Sequence, residues 1–114
     1  MTSGIKAKNG VVIATEKKVN TILADESSFQ KVNNISEHVG CVYSGIGPDY
    51  PSVLAKARKD CMTYDKMFRD KIPTFILAKQ LAELMQEMTQ RGGIRPFGVS
   101  LLVGGVDHTG PKLY

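Results

Sequence analysis

The stretch Glu87–Asp107, "EMTQRGGIRPFGVSLLVGGVD", changes its grammar twice in twenty-one residues, and its reading decides the fold. The polar and apolar residues up to Gln90 recur at helical spacing. The helix is expected to end on Gly92-Gly93, where Gly92 can take the positive φ that closes it. Pro96 has no backbone N–H and biases Arg95 towards extended geometry, so helix continuation is blocked a second time. From Phe97 onward the run is apolar and β-prone. The segment reads as a hard junction from helix to buried strand, ending on a second glycine pair, Gly104-Gly105.

Working outward, the residues before this junction carry two amphipathic patterns. Leu54, Ala57, Cys61, Tyr64 and Phe68 recur at helical spacing and predict a helix over about 49–70. Leu77, Leu81, Leu84, Met85 and Met88 predict a second over about 74–91, beginning after Pro73. Further upstream the period shortens. "HVGCVYSG" (residues 38–45) reads as a buried strand, and Asn9-Gly10 inside "GIKAKNGVVIATEKK" reads as the turn of a hairpin. "NTILADESSFQKV" (residues 20–32) reads as a shorter extended stretch broken by polar residues around Asp25 to Ser28, so the sequence to about residue 45 is expected to be all β. After the junction, strands are expected at about 97–106 and 111–114, separated by a turn. The fold class is therefore α+β, and 114 residues make a single domain at most.

Bulk composition narrows the function. Apolar residues make up 42% and charged ones 23%, as in ordinary globular proteins, which argues against long disorder. The net charge of +4 is spread along the chain, with Lys17-Lys18 and Arg58-Lys59 the only adjacent basic pairs. Without aromatic interleaving or a nucleic-acid motif, solvated surface is the expectation, with no nucleic-acid partner. No apolar run reaches membrane-spanning length and the N-terminus has no signal-peptide pattern, so no membrane is expected and the location is read as cytoplasmic and nuclear.

The chemistry-bearing residues are sparse. Cys41 and Cys61 lie in apolar contexts without a CxxC and read as buried free thiols. His38 and His108 are far apart and read as surface or hydrogen-bonding residues, so neither metal nor cofactor is expected. Ser44-Gly45-Ile46-Gly47 meets neither the phosphate-loop nor the nucleophile-elbow pattern and reads as a strand-to-helix turn. Thr2 is a candidate N-terminal nucleophile if Met1 is removed; the alternative is a frayed start before the first strand.

Taken together, "GIKAKNGVVIATEKK", "SFQKV", "HVGCVYSGIGPDYPSVLAKAR", "MTQRGGIRPFGVSLLVGGVD" and "GPKLY" resemble the alpha subunits of the proteasome core particle, with residues 43–50 and 95–102 most similar to the eukaryotic alpha type 2 branch. The resemblance covers essentially the whole chain. It implies the N-terminal half of a four-layer αββα sandwich, the N-terminal-nucleophile hydrolase fold, without the gate segment that precedes Gly4 in that family and without the C-terminal half. It further implies a non-catalytic subunit of a threonine endopeptidase complex. Its partners would be neighbouring alpha subunits in a seven-membered ring, the beta ring, and the C-terminal tails of the regulatory particle or other activators.

In the related beta subunits the proteolytic threonine stands four residues before the glycine that matches Gly4, with an aspartate and a lysine as partners. Here Glu16 stands at the aspartate position, Lys31 matches the lysine, and Thr2 comes two residues too late. Two residues of strand shift a hydroxyl by about 6.6 Å, more than nucleophile geometry tolerates. The resemblance gives Lys31 a different role, that of the alpha-family lysine that receives an activator's terminal carboxylate. A threonine peptidase of the same fold and a free-standing interaction domain are the alternatives.

Overall fold

The computed structural model describes residues 1–114. Six strands and two helices follow in the order β1 (Thr2–Lys6), β2 (Val11–Thr15), β3 (Val32–Ser36), β4 (Val39–Gly45), α1 (Tyr50–Phe68), α2 (Thr74–Gln90), β5 (Val99–Asp107) and β6 (Gly110–Leu113). Single 3₁₀ turns occupy Glu26–Ser28 and Gly47–Asp49. The last four strands form one antiparallel sheet in the order β3-β4-β5-β6, and β1 and β2 form a separate antiparallel hairpin.

Strand alternation sorts the layers. On one face of the sheet Val39, Cys41, Val99 and Val103 join Val53, Ala57, Leu77 and Leu81 of the helices in a single apolar core. The opposite face meets the hairpin: a Cβ at Gly40 would come within 3.7 Å of Ile13, and one at Gly104 within 2.9 Å of Val11. Val42, on the same face as Gly40, is fully buried. The result is an α+β arrangement with helices, sheet and hairpin as three successive layers, in keeping with the N-terminal part of an αββα sandwich.

The second glycine pair finds its reason here. Consecutive strand residues face opposite sides, so Gly104 lies under the hairpin while Gly105 lies under the start of α2, where a Cβ would meet Thr74 Oγ1 at 2.7 Å and the His38 carbonyl at 2.9 Å. One glycine admits each layer.

Several expectations need correction. The segment between β2 and β3 contains no strand. Asp25 captures its own neighbourhood instead, accepting hydrogen bonds from Ser27 N–H at 2.9 Å and Ser27 Oγ at 2.7 Å, and this local closure competes with an extended conformation. Ile22 and Leu23 are left almost wholly exposed. The Asn9-Gly10 turn is not a two-residue hairpin loop. The last paired residues are Lys6 and Val11, leaving four residues between them, and Ala7 N–H donates to Gly10 O at 2.8 Å. A loop of that length closes without left-handed residues, and Gly10 keeps a negative or extended φ.

The helix expected over 49–70 spans Tyr50–Phe68, because Asp49 belongs to the preceding 3₁₀ turn and Arg69 turns left-handed at φ 54°. The helix expected over 74–91 spans Thr74–Gln90. Its stop differs from the expectation: Arg91 is already extended at ψ 129°, and Gly93 rather than Gly92 takes positive φ, at 78°. The strand expected over 97–106 begins two residues later, at Val99. The strand expected over 111–114 spans Gly110–Leu113, although Tyr114 still exchanges backbone hydrogen bonds with Val103 at 2.7 and 2.9 Å.

Candidate functional site

Lys31 stands immediately before β3, half-buried, at the end of the irregular segment that follows β2. Its ammonium lies 5.4 Å from the centroid of the Tyr43 ring, within cation–π range. Tyr43 in turn stacks on Tyr50, with centroids 4.1 Å apart and planes at 26°. Tyr50 opens α1 and is 4% exposed. Its hydroxyl donates to Asn33 Oδ1 at 3.0 Å and pairs with Cys41 Sγ at 3.0 Å. Burial pushes the Tyr50 phenol and the Cys41 thiol up from their ordinary values, so both are neutral hydrogen-bonding groups. The strand, the helix start and the lysine are thereby joined through one stack.

The lysine opens onto a cleft of about 290 Å³ bounded by Glu16, Lys17, Lys18, Phe29, Tyr43 and Gly45 as well as Met1. Three lysine side chains and one carboxylate side chain line it, and that carboxylate, of Glu16, is engaged by Lys18 at 3.5 Å and by the α-amino group of Met1 at 3.6 Å. A site with this balance attracts anions. Lys31 itself has no carboxylate within ion-pair distance, while Lys18, Lys56 and Lys71 each have one. Phe29, about half exposed, adds an apolar wall.

Thr2 does not join this cleft. It is paired with Thr15 across the β1–β2 hairpin, and Glu16 is exposed. Cys41 and Cys61 are buried free thiols, and burial pushes Cys61 up to about 11. His38 uses both ring nitrogens, one 2.7 Å from the Ile72 carbonyl oxygen and the other 2.9 Å from Ser36 Oγ. Because a carbonyl only accepts, Nε2 donates to it and Nδ1 faces the Ser36 hydroxyl as acceptor. His38 thus fastens the β3–β4 turn to the loop before α2. His108 is exposed in the β5–β6 turn. The helix-to-strand junction residues Gly92, Gly93 and Pro96 are exposed and do not line the lysine's cleft, and neither do Asn9, exposed, and Gly10, half-buried.

One pair that sequence reading missed holds the neighbouring architecture. Asp49, 8% exposed, accepts from Arg95 Nη1 at 2.8 Å and Nη2 at 2.6 Å, and from Gly98 N–H at 2.8 Å. The Arg95-Pro96-Phe97-Gly98 turn is thus clasped to the residue before α1. Those Arg95 hydrogen bonds, then that of Gly98, hold the Asp49 carboxyl down to about 2. A depressed carboxylate stabilises the fold above its ordinary value near 3.8 and loses that contribution as pH falls towards 2. Asp49→Asn should therefore lower the thermal midpoint at pH 7 by roughly 10 °C and flatten the wild type's further loss between about pH 4 and 2. Melts recorded across that window check it; a variant that retains the wild-type acid slope would show that the clasp contributes little.

With the fold and the cleft in view, similarity places the chain in a class. It belongs to the proteasome subunit family, whose model matches residues 1–114. Its relatives include proteasome subunit alpha type-2 of Oryza sativa subsp. japonica, 52% identical, and alpha type-2-A of Arabidopsis thaliana, 53% identical, each over 97% of this chain. The alpha type-2 subunit of Dictyostelium discoideum is 55% identical over the same share. The chain spans 47% of the length of each of these three proteins.

Proposed function

We propose that this chain acts as a structural, non-catalytic subunit of the alpha ring of a proteasome core particle, in cytoplasm and nucleus. There it would contact neighbouring alpha subunits in a seven-membered ring and the beta ring beneath. By supporting ring assembly and the passage of substrates it would serve ubiquitin-dependent protein degradation. Its Lys31 cleft would receive the C-terminal tails of the regulatory particle or other activators. The observation that carries the reading is the identity of about half the residues to alpha type-2 subunits along nearly the whole chain.

The cleft agrees with the docking role. A tail ending in a free carboxylate needs a positive, partly desolvated receptor, and Lys31 offers three donors beside Lys17 and Lys18. The peptidase alternative is poorly supported, because Thr2 and Lys31 do not line a common cleft and a glutamate replaces the aspartate partner. The test is incorporation: a tagged copy of this chain, expressed with the other core-particle subunits, should co-migrate with assembled rings on native gels. A covalent probe directed at N-terminal threonine should label the beta subunits and leave this chain unmarked. A tagged chain absent from every assembled particle would refute the structural role, and labelling at Thr2 would establish the peptidase instead.

A further inference from the structure

We propose that Tyr43 is a positioning residue for Lys31, holding the ammonium in the cleft so that an arriving carboxylate meets an ordered donor; the inference rests on the docking role just proposed. A free lysine side chain carries considerable rotamer entropy, which a ligand must suppress before it gains a contact. Here the ring of Tyr43 already occupies one side of the ammonium at 5.4 Å. The ring is not loose. Tyr50 stacks beneath it at 4.1 Å, and Tyr50 is anchored at its far end by Asn33 and Cys41. The order therefore runs outward from the core, through two aromatic rings, to one charged group.

The chemistry is divided sensibly between the partners. A π face attracts a cation without consuming all of its N–H donors, so the ammonium can rest on the ring and still donate to a carboxylate. A salt bridge to a resident carboxylate would have ordered the lysine equally well, but it would have competed with the ligand. Lys17 and Lys18 line the same cleft with no aromatic ring within cation–π range, and Lys18 has instead the Glu16 carboxylate at 3.5 Å, the kind of partner that competes with a ligand.

Two measurements on the same chain separate this inference from the docking role. With lysine-labelled protein, the ε-methylene protons of Lys31 should resonate upfield of those of the other lysines, because they lie over a ring. Tyr43→Phe should retain that shift and bind a peptide with a free C-terminal carboxylate within about twofold of wild type. Tyr43→Leu should lose the shift and bind the peptide about three- to fivefold more weakly, with no such difference for the C-terminally amidated peptide.

A wild-type Lys31 signal lying among the other lysines would overturn the inference, as would a Leu variant that binds the carboxylate peptide as tightly as wild type. A wild type that shows the shift but binds no carboxylate peptide would reject docking while the hold on the lysine stands. Where Tyr43→Leu does not fold, the wild-type and Tyr43→Phe shifts decide.

Discussion

Gly105→Ala is expected to cost about 2–3 kcal/mol and lower the thermal midpoint by roughly 10–15 °C, although it adds a single methyl group. The new Cβ would lie 2.7 Å from Thr74 Oγ1, 2.9 Å from the His38 carbonyl oxygen and 2.9 Å from Val39 Cγ2. None of the three can retreat easily. Thr74 is fully buried at the start of α2, and its backbone N–H donates to Asp107 Oδ2 at 3.0 Å. The His38 carbonyl accepts from Val106 N–H at 3.2 Å, and Val39 is 2% exposed.

The methyl group must therefore push α2 away from the sheet or break the contact between the β3–β4 turn and β5. Pairing Gly105→Ala with Thr74→Ala removes the nearest obstacle but leaves the carbonyl, so recovery should be partial. Gly105→Val should abolish cooperative melting. Gly10→Ala is the internal control: nothing lies within 4 Å of its Cβ position, and the expected change is under about 0.5 kcal/mol. Equal midpoints for the alanine variants at residues 10 and 105 would show that α2 sits more loosely on the sheet than these distances imply.

The contrast between those two glycines shows what a sequence can and cannot disclose. Both α-helices were legible because three or more turns of apolar spacing outvote any single residue, and their observed ends fall within two residues of the expected ones. The Gly104-Gly105 pair was visible as an oddity at the end of an apolar run. Its purpose depends on Val11 and Thr74, which lie far away in sequence and on opposite faces of the sheet.

The same limit hid the clasp between Asp49 and Arg95, forty-six residues apart. A Pro-Asp-Tyr start to a helix and an arginine before a proline were the only hints, and neither names the other. Residues 20–31 misled in the opposite direction. Thr21, Ile22 and Phe29 carry strand propensity, but a strand needs a neighbour, and the Asp25–Ser28 closure forms without one. Lys31 itself was legible only through family resemblance. No local pattern distinguishes it from Lys17 or Lys18, and what sets it apart, the ring beneath it, comes from Tyr43 of β4, twelve residues on.

That difference in setting makes Lys31→Ala the most discriminating substitution for function. In a core particle containing this chain, it should weaken binding of an activator tail at this cleft by about ten- to a hundredfold, the range expected when one charge-assisted contact to a carboxylate is lost. Folding should hardly change, because the side chain makes no hydrogen bond or ion pair within the protein and its ring contact is at the half-exposed surface. Lys17→Ala and Lys18→Ala should each have a smaller effect that fades as salt rises, since they act through the field of the cleft rather than through an ordered donor.

Lys31→Arg should rescue only in part: the charge is kept, but the wider, forked guanidinium stacks on Tyr43 in a plane and presents its donors elsewhere. Affinities of a tail peptide measured at two salt concentrations, beside native-gel assembly of the same variants, separate these outcomes. Equal binding by wild type and Lys31→Ala at moderate salt, in particles that assemble normally, would remove Lys31 from the docking role and leave the cleft's charge without a ligand.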